Sequence, residues 1–111
     1  MLIEIIVESG TKTDVLNWLG IPKKEIAVSD GVSRFEYGGG VVAILTDEIS
    51  GRDWLSVCLE GFRWEDSLSC AKEAEAKIRK VVIVDPGDDD PNPFKFTVIR
   101  NGIETIEYYD V

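Results

Sequence analysis

The side chains able to do chemistry in this chain are few, and one kind is missing. None of its 111 residues is a histidine. That removes the commonest general base and every nucleophile that depends on an imidazole. The two cysteines, Cys58 and Cys70, match no zinc-binding spacing, and no histidine exists to complete a mixed site. They are expected to be reduced thiols that pack as small hydrophobes. The run Gly38-Gly39-Gly40 lacks the Gly-Lys-Ser/Thr of a phosphate-binding loop and does not open a helix, so its expected role is a hairpin turn. Carboxylates are plentiful. Asp85, Asp88, Asp89 and Asp90 could offer oxygens to calcium. Consecutive aspartates point apart, however, and a calcium loop needs alternating ligands, a glycine at its sixth position and a distal glutamate. The expected role of these residues is a solvated acidic loop or an acidic patch shown to a partner. No metal, no cofactor and no catalytic residue is assigned, and the chain is not expected to be an enzyme.

The charge balance narrows the partners. Asp and Glu number 21 against 12 Lys and Arg, a net charge of −9. Phosphate recognition needs a basic surface, so nucleic acid is excluded as a ligand. An anionic membrane surface is excluded by the same sign of charge. No stretch is long and apolar enough to span a bilayer. The opening residues Met1 to Glu8 lack the basic start and small-residue cleavage site of a signal peptide, so the chain is expected in the cytoplasm. A hydrophobic content of 44% is enough for a core and too high for a disordered acidic tail. Residues 1–111 are expected to form one domain, monomeric in the free state.

The elements that must position these groups can be read from periodicity. Ile3, Ile5 and Val7 alternate with Leu2, Glu4, Ile6 and Glu8, the pattern of a strand. Thr11 and Asp14 form a weak capping box for a helix with the stripe Val15, Leu16, Trp18 and Leu19, ended by Gly20 and Pro22. A short strand or extended segment is expected over 23–28. Residues 32–37 and 41–46 read as a hairpin across the three glycines. Residues 41–45 are apolar on both faces, which suits a strand covered on both sides. A polar loop is expected over 47–53, then a strand over 54–59. Trp64, Leu68, Ala71, Ala74 and Ile78 predict a second helix over 64–80. A short strand over 81–84 precedes the proline-rich 85–93 stretch. Asn101-Gly102 predicts a tight hairpin between strands over 94–100 and 103–111. Its register pairs Val98 with Thr105 and Phe96 with Glu107. Phe94, Phe96 and Val98 are then the expected core face, with Tyr108 on the other face and Glu107 awkwardly on the apolar side. The fold class is α+β: a mainly antiparallel or mixed sheet of about six or seven strands carrying two helices.

Acids cluster in two regions. Residues 81–111 contribute −5 of the −9. The candidate partner-binding residues are Asp88, Asp89, Asp90, Glu107, Tyr108 and Asp110, with Asp47, Glu48, Asp53 and Trp54 as a second group. Charge speeds encounter with a basic surface, and exposed Trp or Tyr supplies anchors. For Trp54 a core position competes with the interface role.

A small acidic domain without a catalytic motif, with clustered acids and interspersed aromatics, resembles a bacterial immunity protein of the contact-dependent inhibition type. The resemblance implies binding and neutralisation of a basic cognate toxin, such as a nuclease, through an acidic face. A small adaptor or structural subunit is the alternative. A small enzyme or calcium-binding domain using the 85–90 loop is a further one.

Overall fold

The hydrophobic alternation of the first strand survives intact in the computed structural model, which describes residues 2–21, 27–29, 32–49, 52–86 and 95–108. In β1 (Leu2–Glu8), Ile3, Ile5 and Val7 are buried. After it come α1 (Lys12–Leu19), β2 (Ala27–Ser29), β3 (Val32–Tyr37), β4 (Gly40–Ile49) and β5 (Arg52–Glu60). The chain continues through α2 (Ser67–Ile78), β6 (Val82–Val84), β7 (Lys95–Arg100) and β8 (Ile103–Tyr108). The strands form one sheet in the order β2-β3-β4-β5-β1-β6-β7-β8, and every ladder among the described residues is antiparallel. The fold is α+β as expected. Among the described residues the sheet has eight strands, counting the three-residue segment β2 that pairs with β3.

Both helices lie on one face. Val15 and Leu16 of α1 and Cys70, Ala71 and Ala74 of α2 join Ile3, Ile5, Val7, Val57, Leu59, Val82 and Ile99 in one buried cluster. The first helix follows its caps: the Thr11 hydroxyl accepts from the Asp14 amide at 3.1 Å, the Asp14 carboxylate accepts from the Thr11 amide at 3.0 Å, and Gly20 is left-handed. The second helix is shorter than its periodicity suggests. The Asp66 carboxylate accepts from the Ser69 amide at 2.7 Å and starts the helix there, leaving Trp64 and Glu65 outside it. Arg79 adopts the left-handed conformation and ends it before Lys80. Trp64 still packs against the core, with its ring centroid 5.2 Å from that of Trp18, and the Arg63 guanidinium lies over the Trp64 ring, 4.2 Å from its centroid.

Two further expectations change. Within the expected polar loop, residues 47–49 and 52–53 are strand. The β4–β5 ladder runs on through Asp47 opposite Trp54, Glu48 opposite Asp53 and Ile49 opposite Arg52. The core face of the last hairpin is also reassigned. Its register is the expected one, with Val98 opposite Thr105 and Phe96 opposite Glu107, and both Asn101 and Gly102 have positive φ. But the helices cover the side of Thr97 and Ile99, while Val98 and Phe96 face away from them with Trp54, Ile83 and Ile6. β7 is buried on both sides because a second, smaller cluster fills its far face. Trp54 is only 1% exposed and meets Phe96 edge-on, with ring centroids 5.5 Å apart.

The glycine run has a packing cause. Gly38 and Gly39 take the positive φ of the hairpin turn, and a Cβ on Gly40 would lie 2.7 Å from the Phe62 ring.

Charged groups fasten the helix layer. The Lys80 ammonium donates to the Asp14 carboxylate at 2.9 Å and to the Ser9 carbonyl at 2.8 Å. The Glu73 carboxylate receives the Trp18 indole N–H at 3.0 Å and also pairs with Arg63. Partial burial opposes the charge on both acids. Lys80 and Thr11 outweigh it at Asp14, and Arg63 and Trp18 outweigh it at Glu73, so both titrate below their ordinary values of 3.8 and 4.5. A depressed carboxylate stabilises the fold above its unfolded value, and that contribution is lost as pH falls through the folded value. Glu73→Gln is therefore expected to flatten the stability-against-pH curve of urea unfolding below about pH 4.5; an unchanged acid slope would refute the assignment. Trp54→Ala should cost about 3–5 kcal/mol in the same assay, as truncation of a buried aromatic does. A loss under about 0.5 kcal/mol, the range of an ordinary surface change, would show that the second cluster is not a core.

Candidate functional site

Antiparallel register decides which candidate residues lie together. Glu8, at the end of β1, is opposite Trp54, and Leu2, at its start, is opposite Glu60. The β4–β5 hairpin end therefore lies at one end of the sheet. Asp85 follows β6, Lys95 begins β7 and Tyr108 closes β8, all at the other end. The two acidic groups singled out in the sequence are thus at opposite ends of the strands and cannot form one patch.

Within the C-terminal group, Asp88, Asp89, Asp90 and Asp110 lie outside the described residues. Tyr108 is 60% exposed, as an anchor must be. Its face, opposite Lys95 and alongside Ile106 and Glu104, is the face that the helices cover farther in, so it is exposed because β8 lies beyond the helix layer. Glu107 points the other way. It keeps the hairpin register with no bulge by lying at the rim, where its carboxylate accepts from Arg100 at 3.1 Å and from the Thr105 hydroxyl at 3.1 Å. Tyr108 and Glu107 therefore serve different faces. In the second group, Asp47 and Glu48 are placed by backbone pairing, Asp53 is exposed, and Trp54 is a core residue rather than a surface anchor.

The structure draws attention to a region the sequence reading passed over. On the sheet face away from the helices, a trough of about 330 Å³ is lined by Glu4, Ile6, Ser56, Cys58, Ile83, Asp85 and Phe96. Its floor is apolar and its rim carries carboxylates. Alternation in β1 and β5 hinted at the floor. The meeting of Glu4 with Cys58 and Asp85 needed the pairing of β1 with β5 and β6, which no local pattern encodes. Among the described residues, no group of three or more carboxylates and thiols is placed to hold a metal ion. No helix among them is long and apolar enough to cross a membrane.

The two thiols are on opposite sides of the sheet and free. Burial and the nearby Glu4 raise the Cys58 thiol, which is nonetheless partly exposed in the trough. Burial beneath α2, with Glu73 adding to it, pushes Cys70 up to about 12. Compared with protein-family models, curated proteins and solved structures, the chain matches none.

Reaction of the native protein with a thiol reagent should modify Cys58 slowly at mildly alkaline pH and leave Cys70 untouched until the chain is unfolded. Equal rates for both thiols would contradict the placement of Cys70.

Proposed function

We propose that this protein is an acidic protein-binding module whose partner is basic, and that it acts as an immunity protein that neutralises a cognate toxin such as a nuclease. The observation that carries this reading is the net charge of −9 and its uneven distribution. The helix layer is nearly balanced, with Lys12, Arg63, Lys72, Lys77, Arg79 and Lys80 offsetting Asp14, Glu65, Asp66, Glu73 and Glu75. The excess of acid belongs to the strands and their connections. Such a field attracts a cationic protein, speeds its encounter and weakens as salt rises. The lack of any histidine supports binding over acid–base catalysis. A basic nuclease presents the complementary surface, because it must hold phosphate.

The test is capture of partners on the tagged protein at low and high salt, followed by assay of the captured protein with and without the acidic one. A basic protein retained at low salt, whose nuclease activity falls with stoichiometric addition, is the expected result. An acidic partner, or a basic one whose activity is untouched, would sink the neutralising role. With the partner in hand, the Asp88, Asp89, Asp90→Asn variant should associate more slowly at low salt, with the gap closing at high salt. Tyr108→Ala should mainly hasten dissociation.

A further inference from the structure

The middle strands of the sheet are apolar on both sides, yet among the described residues both helices lie on one side only. An antiparallel sheet with a solvated face normally turns polar residues outward. Here Val42 and Ile44 of β4 face the helices, and Val41, Ala43 and Leu45 face away. Neighbouring strands continue that outward surface through Cys58 and Ser56 to Ile6, Ile83 and Phe96. The Trp54 cluster closes part of it. The rest is partly open: Leu2 is 57% exposed, Ile6, Cys58 and Phe96 line the trough with part of their surface accessible, and Val41, Ala43 and Leu45 of β4 are also partly accessible on this face. An apolar patch of this kind rimmed by polar groups marks an interaction surface.

The rim selects the occupant. Glu4, Glu36, Glu60 and Asp85 are exposed on this face. The cations whose side chains are described there are Arg34 and Arg100, and Arg100 is engaged by Glu107. A second copy of the chain would bring the same carboxylates together across the contact, and an anionic lipid surface or nucleic acid would be repelled likewise. We infer that the helix-free face of the sheet is a docking surface for an amphipathic segment of a basic protein, its apolar stripe on the trough and its Lys or Arg residues against the acidic rim. This inference rests on the proposed function and adds a contact surface to the C-terminal acids. The floor supplies desolvation, which charge alone does not, and removal of water strengthens the pairs at its edge.

The probe is a synthetic amphipathic helix with a leucine stripe flanked by lysines. The control is a peptide of equal charge without the stripe. Binding to the intact protein is followed by amide NMR shifts and by the rate of Cys58 alkylation in the wild type. The stripe peptide should shift amides of β1, β4, β5 and β6, and slow Cys58 alkylation several-fold. Glu4→Lys combined with Glu60→Lys should weaken it by about tenfold. Leu2→Asp, at an exposed position, should weaken it without lowering the melting temperature. Equal binding of the control peptide, shifts confined to α1 and α2, undisturbed alkylation of Cys58, or full binding by the charge-reversed variant would each overturn the inference. The two proposals can fail separately. A basic partner captured equally well by the charge-reversed variant leaves the function standing and removes this surface, whereas no basic partner at all removes the function.

Discussion

The sheet holds together through one strand. β2 to β5 form a meander of adjacent hairpins, and β6 to β8 form another. The two are joined by the seven residues of β1, which pair with β5 along their whole length and with β6 at Ile6 and Val7. Pairing Leu2 with Glu60 closes a loop of more than about fifty residues, a cost that local hairpins do not bear. Burial repays it. Ile3, Ile5 and Val7 lie under the helix layer, and Ile6 contributes to the cluster behind. Without β1 in the centre, both halves would expose an edge, the helices would lose the middle of their floor, and the trough would lose a wall.

The same strand explains how apolar surface and charge are divided. Because its neighbours are antiparallel and in register, each face of the sheet receives alternate residues from five or more strands. One face is sealed by α1 and α2, whose small residues Ala71 and Ala74 allow close approach. There the charged groups are spent on ties within the layer: Lys80 to Asp14, Arg63 and Trp18 to Glu73, Lys72 to Glu104. On the other face Arg100 pairs with Glu107, and the exposed Glu4 and Asp85 stand at the edge of an apolar floor.

Much of the fold was legible because it is local. The α1 caps, the turn at Asn101-Gly102 and its register depend on residues a few positions apart, and each formed as expected. Boundaries erred where a cap outweighed periodicity, as at Asp66 and Arg79. Residues 47–49 and 52–53 are paired although their polar side chains suit a loop as well as a strand end; what keeps them paired is the ladder they continue. Glu107 is discordant with the apolar pattern of its face, and Arg100 and Thr105 supply the partners that make the position tolerable.

Composition and spacing by themselves determined the α+β class, the strong negative charge, the lack of imidazole chemistry and the hairpin that carries Tyr108. All of these follow from residue identities and from contacts between near neighbours. Only the tertiary structure decided which face of each strand is covered. Alternation says that two faces differ, but not which one a helix from elsewhere in the chain will occupy. That choice put Phe96 and Val98 behind the sheet with Trp54. It also gathered Glu4, Cys58 and Asp85 around one trough, because strands far apart in sequence become neighbours only when the central strand is in place.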